Sequence, residues 1–232
     1  MKTTAFNMKT KIVKMLALTV LAFVVIIISS SKKSKAADKT VVVTELKDVK
    51  HIHKIVVVGN VDVYLTQGTE ENLKVYDNYY SKNALVQWQD GELRISSFEK
   101  EKLAVSITVN NLSAIQASGN VKVRSMNEIS TIDLDIQLKD NAQANLEARA
   151  VNISSSIADG SVLKLSGESD NQHLNLSGAA QYESSRFTSK SRSMIISDGS
   201  VASINQDGQS TSIKTTATLP VKEKAFSLEP AL

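Results

Sequence analysis

From Val41 onward the apolar residues of this chain fall at every second position. Ile55, Val57, Val61, Val63 and Leu65 keep one parity through Gly59. Leu93 and Ile95 do the same, as do Val105, Ile107 and Val109, and Leu134, Ile136 and Leu138. Successive side chains of an extended strand point to opposite faces, so this period of two predicts half-buried strands. No stretch beyond Val41 carries a helical period; 78–84 fits one helical turn or a loop. Residues 87–95 read as a hairpin, because Asp90-Gly91 supplies the two positive φ angles of a type I′ turn. The expected fold class is all-β.

The turn signals recur. Seven of the nine glycines follow Ser or Asp: Gly91, Gly119, Gly160, Gly167, Gly178, Gly199 and Gly208. One short phrase returns as SGNVKV at 118, DNAQANL at 140, DGSVLKL at 159, SGAAQY at 177 and DGSVASI at 198. Taking Gly119, Asn141, Gly160, Gly178 and Gly199 as equivalent gives spacings of 22, 19, 18 and 21 residues. Asn fits at 141, since after Gly it best tolerates a left-handed backbone. Both prolines, Pro220 and Pro230, lie beyond the last phrase, so none interrupts a ladder. A turn returning every twenty residues or so predicts stacked coils of a β-solenoid, clearest over residues 112–216. A β-sandwich also turns every 8–12 residues, but it does not explain why one phrase repeats.

The run KIVVVGNVDVYLTQGTEENLKVYDN, followed by GELRIS and SITVNNLSAIQASGNVKV, resembles the GIN-domain family (DUF2807), named for putative auto-transporter adhesin heads. Gly59, Val61, Val63, Leu65, Gln67 and Gly68 match that family's opening, and Ser118-Gly119, Ser166-Gly167 and Ser177-Gly178 match its SGAG-type turns. The resemblance covers about residues 52–210. It implies a right-handed β-solenoid-like fold with an N-terminal strand and hairpin region, export to the envelope of a Gram-negative bacterium of the Bacteroidetes type, and no known enzymatic activity. DNAQ at 140 and DGSV at 159 and 198 depart from the family phrase. The 232 residues are expected to leave no room for a C-terminal barrel, so the transport half of the family name is not expected to apply.

Composition sharpens this picture in two places. The chain has no cysteine, which excludes disulfides, thiolate metal sites, a cysteine nucleophile and a lipidated N-terminal cysteine. The formal charge of +3 comes from the N-terminus: residues 1–36 hold seven lysines and no acid. The remainder has 20 basic against 24 acidic side chains, a net of −4. A mildly acidic domain is a poor ligand for nucleic acid, whose affinity comes from clustered Lys and Arg on phosphates. Lys2, Lys9, Lys11 and Lys14 precede a 14-residue apolar run, Met15–Ile28, and small residues end at Ala36-Ala37. That order is a secretory signal peptide over residues 1–37. Lys32, Lys33 and Lys35 leave an uncleaved anchor as the alternative, and only that segment would then contact membrane. The GIN-like domain is expected over 41–216 and a flexible tail over 217–232.

Candidate chemistry is sparse. His51 and His53 share one side of the chain, but two ligands are too few and the remaining histidine is His173. Asp133 and Asp135 share a strand face roughly 7 Å apart, a separation used by paired carboxylates in glycoside cleavage. Their alternation with Leu134 and Ile136 places them on a solvated face. Asp140, Asp159, Asp198 and Asp207 recur at turns and would suit Ca²⁺ between coils, although turn chemistry already explains Asp before Gly. Tyr76, Tyr79, Tyr80 and Trp88 form either a binding platform or a cap over the end of the core. No phosphate-binding loop, dinucleotide fingerprint, nucleophile elbow or zinc-protease motif is present.

The expected function is an exported, non-catalytic envelope protein, adhesin-like or structural, without cofactor or metal, whose partner is a cell-surface glycan or protein. Its outward Ser, Thr, Asn and Asp, as in 152–156 and 210–216, would make the contacts. The alternative is a polysaccharide-acting β-solenoid enzyme. N-terminal sequencing of the protein from its native envelope is expected to show a start near Ala36 or Ala37; an intact Met1 would instead establish the anchor.

Overall fold

The computed structural model describes residues 43–46, 49–76, 84–204 and 210–216. The targeting segment 1–37, the tail 217–232 and residues 78–83 of the helical-turn-or-loop stretch lie outside them. In chain order the strands are β1 (Val43–Leu46), β2 (Lys54–Gly59), β3 (Val61–Gln67), β4 (Asn72–Tyr76), β5 (Ala84–Gln89), β6 (Glu92–Ser97), β7 (Leu103–Val109), β8 (Ala114–Ser118) and β9 (Lys122–Ser125). There follow β10 (Ile129–Lys139), β11 (Gln143–Ile157), β12 (Val162–Leu176), β13 (Gln181–Ser197), β14 (Val201–Ile204) and β15 (Ser210–Thr216). Among the described residues there is no helix. The fold is the expected all-β, solenoid-like stack.

Two ladders of strands run the length of the stack. The first is ordered β1-β4-β7-β3-β9-β11-β12-β13-β14, the second β5-β6-β2-β8-β10-β11-β12-β13-β15. β11, β12 and β13 are long enough to serve both, bending at a corner where Val151, Asp170 and Lys190 drop out of the register. Ile132 of β10 occupies the same corner. All pairings are parallel except β1 with β4, β4 with β7 and β5 with β6. The antiparallel strands therefore gather at the N-terminal end, the predicted hairpin among them, with Asp90 and Gly91 at φ 50° and 76°.

The register shows why the coils stack. Ile115 stands beside Ile136, then Ser155, Leu174, Met194 and Ile213, in steps of 21, 19, 19, 20 and 19 residues. A second inward row reads Ile95, Val57, Ala117, Leu138, Ile157, Leu176 and Ile196. From β8 to β13 each coil thus places an apolar side chain on that of its neighbour, Ser155 excepted, and stacking closes the core. Burying one such Ile or Leu is worth about 1.5–3 kcal/mol.

Sequential coils are joined by type I′ turns whose central pairs are Asp140-Asn141, Asp159-Gly160, Gly178-Ala179 and Asp198-Gly199, all at positive φ. The turns are themselves laddered: the N–H of Asn141 donates to the carbonyl of Asp159 (3.0 Å), that of Gly160 to Gly178 (2.7 Å), and that of Ala179 to Asp198 (2.9 Å). This corrects the expected equivalence. Gly178 aligns with the aspartates, and Ala179, at φ 60°, with Asn141, Gly160 and Gly199. The phrase at 118 makes a different corner. Gly119-Asn120 stacks on Gly59-Asn60, where the Asn120 amide donates to the Asn60 side-chain oxygen (2.9 Å). Asn60 in turn donates to the carbonyls of Glu99 (3.0 Å) and Lys100 (3.1 Å). At Gly59, φ 98°, a Cβ would stand 2.0 Å from the Ser97 carbonyl oxygen.

Toward the C-terminal coils the inward rows turn polar. Leu134 and Ile153 are followed in register by Gln172 and Arg192, the latter 2% exposed. Arg192 Nε donates to Gln172 Oε1 (2.5 Å), and Gln172 Nε2 donates to the buried Tyr182 hydroxyl. Burial pushes the Tyr182 phenol above the ordinary tyrosine value, against the opposing pull of Ser184, Gln172 and Arg192. Burial likewise lowers Arg192, partly offset by Tyr182. Buried polar groups cost stability unless hydrogen-bonded, so these side chains must move as a set if any is changed.

Three outcomes follow in chemical denaturation. Ala179→Gly is expected to stabilise by about 1 kcal/mol, by relieving a left-handed alanine. Gly59→Ala is expected to destabilise by about 2–4 kcal/mol, combining that strain with a backbone clash. Because the folded phenol of Tyr182 titrates above the unfolded one, its contribution is complete below about pH 10 and lost as pH rises beyond it. Tyr182→Phe should therefore flatten the alkaline fall in stability, and an unchanged slope would count against the buried phenol.

Candidate binding face

Outward from the second ladder, the same register that stacks the core lines up polar side chains. One row runs Asp133, Asn152, Asn171 and Ser191; the next runs Asp135, Ser154, His173 and Ser193; a third runs Gln137, Ser156 and Asn175. The backbone of β15 pairs with β13 at the end of these rows, Ser210 with Ser191 and Ser212 with Ser193. The Asn152 amide donates to Asp133 Oδ1 (2.7 Å) and the Asn171 amide to Asn152 Oδ1 (3.0 Å), so the first row is a chain of side-chain hydrogen bonds crossing three coils. Gln137 donates to Asp135 Oδ2 (2.7 Å). Of the 152–156 run only Asn152, Ser154 and Ser156 face outward; Ile153 and Ser155 are in the core.

The face is short of charge. Its two carboxylates, Asp133 and Asp135, both lie on β10 at one end of the rows and both accept from neutral amides. Beyond them the outward groups that β11 and β12 add to these rows are amides and hydroxyls, which donate and accept, and the His173 imidazole. What such a surface offers is repeated hydrogen bonding at the strand spacing of about 4.8 Å.

The other predicted sites separate. His51 and His53 are exposed and precede β2 instead of lying on a strand, while His173 sits on the polar face. No group of three or more His, Asp or Glu able to hold a metal occurs among the described residues. Asp140, Asp159 and Asp198 occupy the first central position of their turns, where a short polar side chain tolerates positive φ; Asp207 lies outside the described residues. Trp88 and Val86 stand opposite Leu93 and Ile95 across the hairpin, extending the two inward rows by one strand. Val86 packs against the end of the core, while Trp88, on the same side of the hairpin, remains 43% exposed. Tyr76 is on β4 in the first ladder, and Tyr79 and Tyr80 lie outside the described residues.

Two residues organise the molecule through contacts that the alternation of apolar positions does not mark. Gln67 donates through Nε2 to the carbonyls of Asn110 (2.8 Å) and Ser130 (2.9 Å) and accepts from the Ser130 N–H (2.6 Å). It thus ties β3 to segments 43 and 63 residues away. Glu71 caps the backbone N–H groups of His51, Ile52 (3.1 Å) and Asn110 (3.2 Å). With Gly59 at a corner, Val61, Val63 and Leu65 in the core and Gly68 donating to Val109 (2.8 Å), every matched residue of the opening motif has a structural task.

Residues 51–221 match the family model described as DUF2807, putative auto-transporter adhesin, head GIN domain. No curated protein matches the chain in sequence. Among solved structures, a putative adhesin from Bacteroides fragilis is 21% identical, with a TM-score of 0.64 over 77% of this chain and 95% of that one. A putative adhesin from Parabacteroides distasonis is 13% identical, with a TM-score of 0.60 over 78% and 94%. A putative lipid binding protein from the same organism is 13% identical, with a TM-score of 0.57 over 78% and 94%. At these identities the likeness is one of fold.

Proposed function

The chain belongs to the DUF2807 family, the head GIN domain of putative auto-transporter adhesins, and from that premise we propose that it is an exported, non-catalytic binding module of the cell envelope. Its contact surface is the polar outer face of the second ladder, and its ligand is an extended polymer or a neighbouring surface. The observation that carries this reading is the row Asp133-Asn152-Asn171, bonded side chain to side chain across three coils. Such rows hold their polar groups preordered at a fixed spacing, so little side-chain entropy is lost on contact. Individually weak contacts repeated along a polymer build avidity. Export is supported by the Lys-rich start, the apolar run Met15–Ile28 and the small residues after it. No helix among the described residues is long and apolar enough to cross a membrane.

The test is retention of the purified protein on a panel of neutral and acidic polysaccharides, with phospholipid vesicles as a further arm. Retention on polysaccharide is expected, weakened about tenfold by the pair Asn152→Ala and Asn171→Ala, without release of reducing ends. Turnover abolished by Asp133→Asn or Asp135→Asn would overturn the non-catalytic reading in favour of a polysaccharide-acting enzyme. Retention on vesicles alone, or indifference to the asparagine pair, would remove the polar face as the contact surface.

A further inference from the structure

The chain has five arginines. Arg94 is paired with Glu92, and Arg149 bridges Glu128 (3.0 Å) and Glu168 (2.8 Å) across coils. Arg192 is inside the core. The remaining two, Arg124 of β9 and Arg186 of β13, are exposed, are in no ion pair among the described residues, and line one and the same cleft on the first ladder. That cleft, about 380 Å³, is also bordered by Asn145, Glu147, Ser166 and Gly167.

Two local irregularities make it. Lys164 pairs with Glu183 but Ser166 pairs with Arg186, so β13 carries one extra residue here, a β-bulge. Bulges re-aim side chains, and this one leaves Ser185 and Arg186 exposed in succession. On the neighbouring strand Gly167 lies at φ 107°, and a Cβ there would stand 2.1 Å from the Ala148 carbonyl oxygen. Gly167 therefore adds no side chain to the cleft, and the residue beside Arg186 on β12 is the small Ser166. β9 and β13 are three strand spacings apart, about 14 Å, so the two arginines border the cleft from opposite ends.

We propose that this cleft binds one anionic sugar residue of a polysaccharide, its carboxylate or sulfate held by Arg124 and Arg186. A guanidinium presents a planar fork of donors that matches such oxyanions. Asn145, Ser166 and the Glu147 carboxylate supply donors and acceptors for hydroxyl groups. Glu147 also disfavours a second negative charge close by, which selects an acidic residue rich in hydroxyls over a densely charged polyanion. The net charge of −4 outside residues 1–36 makes attraction of acidic polymers a property of this cleft and not of the whole surface. The site is on a different ladder from the polar face and does not depend on it.

Isothermal titration of the purified protein with oligogalacturonate, chondroitin sulfate oligomers and neutral dextran oligomers tests it. At least one acidic oligomer is expected to bind about tenfold or more tighter than dextran, with affinity falling as salt rises. Binding to oligogalacturonate alone would identify a carboxylate reader, and binding to chondroitin sulfate, which carries both groups, would be resolved by its desulfated form. Arg124→Gln and Arg186→Gln should each weaken binding about tenfold, while Lys190→Gln, whose lysine pairs with Asp170 (2.6 Å) at the corner, should leave it unchanged. Equal affinity for dextran, or arginine variants within twofold of the parent with unchanged thermal melting, would overturn the proposal. Asn152→Ala in the same titration separates the two surfaces: it should not alter acidic-oligomer binding even if the polar face fails its own test.

Discussion

Everything in this molecule depends on parallel strands staying in register from coil to coil. A parallel ladder bonds each residue to the same place in the next coil, so side chains are stacked by position, and a slip of one residue would turn each inward row outward. The steps of 19 to 21 residues hold because the connections are fixed length. Two-residue type I′ turns join β10 through β14, and their backbones bond to one another as the strands do. Where the step lengthens to 20 between β12 and β13, the extra residue is absorbed as a bulge before the corner, and the inward rows resume beyond it.

Much of this was legible in the sequence because register writes itself as periodicity. The alternation of Ile55, Val57, Val61, Val63 and Leu65 and the returning DG and SG phrases mark strand faces and turns directly. The frame of one turn was not legible. SGAA offers a single glycine, and only the ladder between turns shows that Gly178 takes the place of Asp159, leaving Ala179 in the left-handed position. Nor could alternation reveal Gln67 or Glu71, since each acts on backbone groups that the stack brings near from 19 to 63 residues away. Trp88 was legible only as a choice between platform and cap; its place opposite Leu93 puts it in the inward row.

The same constraint separates what marks the family from what could bind. Gly59, the valines, Leu65, Gln67 and Gly68 are occupied with closing a corner, filling the core and tying β3 to distant segments. A motif of that kind reports the fold and is silent about the ligand. The outward rows are different. They must avoid disrupting the ladder but need not fit a packed interior, so amides, hydroxyls and charges can be distributed there with little cost to the stack.

Charge is in fact unevenly distributed over those outward positions. At the corner, Arg149 is held between Glu128 and Glu168 and Lys190 against Asp170, each cation matched to an acid on an adjacent coil. On the second ladder, neutral amides and hydroxyls dominate. Exposed ion pairs of the first kind contribute little individually, but they neutralise like charges that stacking would otherwise bring within about 5 Å of one another. Arg124 and Arg186, on the first ladder, depart from the matching seen at the corner, since neither is in an ion pair among the described residues. The departure falls where the backbone is also irregular, at the bulge of β13 beside Gly167. Regular coils need neither feature to stack, so the coincidence of unmatched charge, missing side chain and re-aimed strand is better accounted for by something outside the chain than by the fold itself.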